Sequence, residues 1–181
     1  SSGSVNVYYN TIRLNASGSS ANFSTAAVFA DIVPTVHLQN NIFTNESTPG
    51  SSGRTVAYWR TDNNLTTYAA ASNYNDFYAG TPSASRLIYY DVTNSDQTLS
   101  SYQARVSPRD NGSISILPVF LSTVGSNANY LHLDAGNNCA FSGIGRNSGL
   151  SLTVNDDFDG DVRTSTSPFI TDIGADEAFK T

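Results

Sequence analysis

Short runs of β-branched and aromatic residues, broken by asparagine at related places, constrain the fold of this chain more than any other feature. Tyr9-Asn10-Thr11-Ile12, Gln39-Asn40-Asn41-Ile42-Phe43 and Tyr74-Asn75-Asp76-Phe77-Tyr78 share the pattern. Similar runs are Val5 to Tyr9, Thr35 to Leu38, Thr55 to Trp59, Arg86 to Tyr90, Ile114 to Ile116, Tyr130 to Leu133 and Ser151 to Val154. Each is short and bounded by Gly, Asn, Ser or Asp, as strands are. Helical periodicity is nearly absent, so the fold class reads as all-β. Asn10 to Asn40 spans 30 residues and Asn40 to Asn75 spans 35. Those steps exceed a hairpin rhythm of about 8–12 residues and suit coils of a solenoid that stack to bury a shared core. Asparagine tolerates the left-handed backbone of a sharp corner. Its amide can also bond to an asparagine one rung away, at about 4.8 Å. Asn10, Asn40 and Asn75 are therefore expected to form a structural ladder.

Composition narrows the function classes. The chain has 181 residues, enough for one domain with a real core. No stretch approaches the roughly 20 apolar residues of a membrane span, so membrane insertion is not expected. Only 13% of residues are charged, and the formal net charge is −6. Arg13, Arg54, Arg60, Arg86, Arg105, Arg109, Arg146 and Arg163 are scattered singly, and Lys180 is the one lysine. Without a basic stripe, nucleic acid is not an expected partner. Anionic polysaccharide is disfavoured for the same reason, which leaves neutral sugar. Cys139 is the sole cysteine, so no disulfide can form within the chain. Methionine is absent, including at position 1, which reads as a chain that begins within a longer product or after processing. Residues 1–4 read as a linker or cloning scar.

Acids crowd the end of the chain. Asp157-Phe158-Asp159-Gly160-Asp161-Val162-Arg163 is followed by Asp172-Ile173-Gly174-Ala175-Asp176-Glu177. Asp157, Asp159 and Asp161 sit at alternate positions like the front half of a calcium loop. The twelfth position is Thr166 rather than a bidentate glutamate, so the ligand set is incomplete. A cofactor is therefore not expected, with calcium as the one candidate. The structural alternative is that Arg163 pairs with Asp172, Asp176 or Glu177 through the guanidinium fork and pins the end of the chain.

The Asn40–Asn45 run, the Ser72–Tyr78 run and these terminal motifs resemble secreted bacterial right-handed parallel β-helix proteins. The closer resemblance is to the C-terminal part of surface proteins with pectate-lyase-like repeats. There a D-x-D-G-x-x-R stretch (here Asp157, Asp159, Gly160, Arg163) precedes D-I-G-A-D-E (Asp172 to Glu177). Pro118-Val119-Phe120 and Leu133-Asp134-Ala135-Gly136 add to the likeness. The resemblance implies a right-handed parallel β-helix solenoid of about five coils, with coils over 5–154 and a C-terminal capping segment over 155–181. It also implies a secreted or cell-surface setting, with the upstream portion of the same protein as a partner.

No catalytic signature stands out. Upstream acids such as Asp76 and Asp110, with Arg109 beside the latter, are spread thinly, and His37 and His132 sit inside alternating runs without a nucleophile motif. Aromatic residues are the better lead, because exposed rings offer flat platforms for sugars. Trp59, Tyr58, Tyr74 and Tyr78 are the candidate ligand-binding residues. The expected function is a non-catalytic structural or adhesive module with polysaccharide as candidate ligand. The alternative is a fragment of a polysaccharide lyase or glycoside hydrolase whose catalytic coils lie upstream.

Overall fold

The computed structural model describes residues 3–147, 150–163 and 170–178. Ser1 and Ser2 of the expected linker, Thr166, and residues 164–169 and 179–181 of the expected capping segment lie outside the described residues. Ser4 already belongs to the first strand.

The chain runs β1 (Ser4–Tyr8), β2 (Thr11–Leu14) and β3 (Thr25–Ala30), then β4 (Thr35–Gln39), β5 (Ile42–Asn45) and β6 (Thr55–Arg60). It continues through β7 (Asp76–Tyr78), β8 (Arg86–Tyr90), β9 (Ser95–Asp96), the helix α1 (Leu99–Val106), β10 (Gly145–Arg146) and β11 (Ile170–Thr171). Parallel pairing joins β1 to β4, β2 to β5 to β7, and β3 to β6 to β8. The β8–β9 and β10–β11 pairs are antiparallel.

These strands make four separate sheets of two to four strands, mixed in direction and none of them closed. The expected five-coil right-handed parallel β-helix, and with it the solenoid description, is thereby corrected. The reason lies just after β8. The Asp91 carboxylate accepts from the backbone N–H groups of Thr93 and Asn94 and from the Asn94 amide, and local bonds of this kind compete with continued strand. The chain turns back as β9 instead of starting another parallel rung. Farther on, Ile114 and Tyr130 contribute isolated bridges, to Asp76 and Ser122, in place of full strands.

Helix α1 is a second departure from the all-β reading. Thr98 caps it, its hydroxyl accepting from Ser101 N at 3.3 Å. Leu99, Tyr102 and Val106 recur at helical spacing and face the core, and Pro108 follows shortly after.

The ladder exists in a shifted register. Asn10 Nδ2 donates to Asn41 Oδ1 at 3.2 Å, Asn41 Nδ2 to Asn75 Oδ1 at 2.9 Å, and Asn75 Nδ2 to Asp110 Oδ1 at 3.0 Å. Asn40 is not a rung. It takes the left-handed corner at φ 60°, as Tyr9 and Tyr74 do beside the other rungs. Its amide instead exchanges two hydrogen bonds with the Arg146 backbone. Asp110 ends the ladder, fully buried, and accepts from Asn75, Ser113, Tyr102 and Tyr68.

Alternation along β5 separates two cores. Phe43 joins Tyr58, Phe77, Tyr89 and Tyr102 in the larger one. Ile42, on the opposite face, packs with Leu133, Phe141 and Ile173 in the smaller. The later part of the chain therefore lies over the outer face of the β2–β5–β7 sheet. Gly174 makes the closest approach, its N–H donating to Asn40 O at 2.8 Å with φ 88°. A β-carbon there would fall 2.6 Å from Ile42 Cδ1, so only glycine fits.

Candidate functional site

Backbone contacts of the later half converge on His132. Leu131, just before it, holds φ 58°, a conformation bulky residues seldom take. Leu133, just after it, donates its N–H to Asp176 Oδ2 at 2.9 Å, which sets Asp176 beside the imidazole. Asp159 arrives from a tight turn. Asp157 Oδ1 accepts from the N–H groups of Asp159 and Asp161, both at 2.9 Å, while its Oδ2 accepts from Glu177 N at 2.7 Å.

His132 Nε2 thereby lies 3.3 Å from Asp159 Oδ2. One ligand atom each from His132, Asp159 and Asp176 fall within 4.8 Å of one another. The Nε2 atom is itself buried and has no hydrogen-bond partner among the described residues. Burial pushes the Asp176 carboxyl above its ordinary pKa, opposed by Leu133 N–H and His132 and reinforced by the charges of Asp157 and Asp159. At Asp157 burial acts upward too, but three backbone N–H donors and Arg163 hold its pKa below the usual value.

A pocket of about 360 Å³ opens beside His132 and Asp176, with Leu131 and Thr11 in its wall. Tyr130 and Phe158 also line it and are 43% and 80% exposed. A second cavity of similar size also borders His132 and is lined by Asp134, Asp159, Asp161 and Glu177.

A different surface carries the aromatic residues. Phe29, Trp59 and Tyr90 occupy matching positions of β3, β6 and β8 and form a row across the sheet. Ring centroids are 6.4 Å apart for Phe29–Trp59 and 4.8 Å for Trp59–Tyr90, the latter edge to face. The Arg54 guanidinium lies over Tyr90 at 4.6 Å. Phe29 is 60% exposed, and a groove of about 350 Å³ runs along Phe29 and Trp59 past Ser24, Thr25 and Ala26.

The residues singled out in the sequence are distributed as follows. Trp59 lies in this row, half-buried, whereas its neighbour Tyr58 is fully buried in the larger core. Tyr74 is half-buried under the Arg146 guanidinium, and Tyr78 is half-buried at the end of β7. Of the three acids of the calcium-like loop, Asp159 meets His132 and Asp176. Asp157 organises its own turn, and Asp161 lines the second cavity. Arg163 is buried, its Nη1 2.8 Å from Glu177 Oε2 and its Nη2 bonded to Gly174 O. Asp172 accepts from Arg163 Nη1 through its backbone carbonyl and from Gly143 N through its Oδ1, whereas Asp176 accepts from Leu133 N. Asp76 and Asp110 are fully buried, and the Arg109 guanidinium is spent on the Tyr68 and Leu65 carbonyls. The His132 grouping had no local signal, because a backbone bond between distant segments creates it.

No helix among the described residues is long and apolar enough to cross a membrane. The chain matches no family model, no curated protein and no solved structure, and nothing in those comparisons identifies a pectate-lyase-like repeat protein.

Proposed function

We propose that this chain is a non-catalytic binding module that takes a neutral glycan on the outer face of the β3–β6–β8 sheet. The observation that carries this reading is the in-register row Phe29–Trp59–Tyr90 with the groove beside it. Aromatic faces next to hydroxyl-bearing side chains suit the apolar faces and polar edges of sugar rings. A net charge of −6 favours neutral over anionic polymers. Asp76 and Asp110 lie inside the fold, out of reach of a polymer. The proposal keeps the extracellular setting that the sequence resemblance implies.

Titration calorimetry against neutral oligosaccharides tests it. Binding is weak, survives raised salt because stacking is not screened, and is lost in Trp59→Ala but kept in Tyr130→Ala at the remote pocket. Binding that Trp59→Ala leaves intact, or reducing ends or unsaturated products released from a polysaccharide by the purified chain, would overturn it.

A further inference from the structure

We propose that His132, Asp159 and Asp176 bind a divalent transition-metal ion of the Zn²⁺ or Mn²⁺ kind. This site is separate from the aromatic row and independent of any glycan.

The donor set is one imidazole nitrogen and two carboxylates, a mixture suited to borderline ions rather than to the all-oxygen shell of Ca²⁺. Tetrahedral ligands bound at about 2.1 Å stand about 3.4 Å apart. The 3.3 Å separation of His132 Nε2 and Asp159 Oδ2 matches that edge already. The remaining edges are no longer than 4.8 Å and close by a small rotation of the carboxylates, of which Asp159 is partly exposed.

A second observation points to a ligand. His132 Nε2 is withdrawn from solvent and unbonded, an arrangement that costs free energy unless something occupies its lone pair. The Asp159 oxygen lies 3.3 Å away without hydrogen-bonding geometry and forms an ion pair with it only when the ring is charged. Asp176 is likewise 8% exposed, with Leu133 N–H on Oδ2. That bond orients the ligating carboxylate, as outer hydrogen bonds do at metal centres.

Three protein ligands leave a fourth position. Both His132 and Asp176 border the pocket lined by Tyr130 and Phe158, so that position faces a sheltered space able to hold a water. The ion would tie three separate segments together: the Tyr130–Asp134 turn, the Asp157–Asp161 turn and the closing stretch around Asp176.

The experiment uses the whole chain stripped with EDTA and titrated with Zn²⁺, Mn²⁺ and Ca²⁺ salts, followed by calorimetry and thermal melting. Co²⁺ absorption reports coordination number and geometry. The expected result is one Zn²⁺ or Mn²⁺ per chain, weaker Ca²⁺ binding, and a melting point raised by about 5–10 °C at a hundredfold excess over Kd. His132→Gln and Asp176→Asn abolish the response. Asp159→Asn, at a partly exposed position and read against its own metal-free melting point, weakens binding at least about tenfold, the loss of one of three ligands. No heat and no stabilisation with any of the ions, or an equal response in wild type and Asp159→Asn, overturns the assignment.

Discussion

The Arg163 guanidinium carbon sits 4.2 Å from the ring centroid of Tyr9, joining the end of the described chain to the corner after its first strand. Glu177 lies on the same guanidinium at 2.8 Å, and the Asp172 and Gly174 carbonyls accept from its Nη atoms, while its Nε is buried without a partner among the described residues. One buried cation therefore organises the closing segment and anchors it on the β1–β2 corner.

Arg163→Ala should cost about 3–5 kcal/mol, the penalty for breaking a buried pair and stranding its partner. Arg13→Ala should cost less than about 1 kcal/mol, because Arg13 and Glu46 keep 20% and 28% of their side chains exposed. Urea unfolding of the two variants checks the contrast. Arg163→Lys should restore little, since an ammonium cannot span the positions reached by both guanidinium Nη atoms.

Asn75→Ala removes the middle of the ladder. Its Oδ1 accepts from Asn41 N and Nδ2, and its Nδ2 donates to Leu38 O and Asp110 Oδ1. Buried groups left unpartnered cost about 1–3 kcal/mol, so thermal melting should fall clearly. Asn10→Ala, at the exposed end of the ladder, should shift it far less.

Stability should decline as pH rises from about 4. Asp76 is fully buried, with Oδ1 bonded to Ile116 N and Oδ2 without a partner among the described residues. Burial raises its pKa well above the ordinary value, and burial likewise raises that of Asp110. Above pH 4 the unfolded carboxyls lose their protons while the folded ones keep theirs. The folded state then binds more protons, and stability falls with pH until the folded pKa is passed. Asp76→Asn keeps an acceptor for Ile116 N–H and cannot ionise. It should flatten this slope and melt above wild type at pH 7. An unchanged slope in melting curves between pH 4 and 8 would refute the account.

Residues on the paired strands β6 and β3 should behave oppositely. Tyr58→Ala empties a fully buried site and should cost about 3–5 kcal/mol. Phe29→Ala, at the exposed position opposite Trp59, should cost less than about 1 kcal/mol. Phe29→Ala should nevertheless weaken glycan binding, whereas the thermal effect of Tyr58→Ala says nothing about the ligand. Paired melts and titrations separate the two.

Much of the local structure was legible in the residues alone. The runs Val5 to Tyr9, Thr35 to Leu38, Thr55 to Trp59 and Arg86 to Tyr90 coincide closely with strands β1, β4, β6 and β8, because β-branched and aromatic residues suit a pleated, half-buried surface. The asparagine recurrence also marked where the chain turns. The choice between Asn40 and Asn41 was not readable: adjacent identical residues differ only in backbone φ, and φ is set by how neighbouring segments stack. Helix α1 carried its signal in Thr98, Leu99, Tyr102 and Val106, too short a pattern to stand out. The extent of parallel pairing was hidden for a related reason. Strand propensity says that Ile114 or Tyr130 can extend, but local bonds such as those at Asp91 decide whether a new rung forms. The meeting of His132 with Asp159 and Asp176 is the clearest case of what tertiary structure alone decided. It depends on Leu133 N–H reaching Asp176 and on the Asp157 turn docking against Glu177 N–H. Contacts between residues so far apart in the chain leave no spacing in the sequence to read.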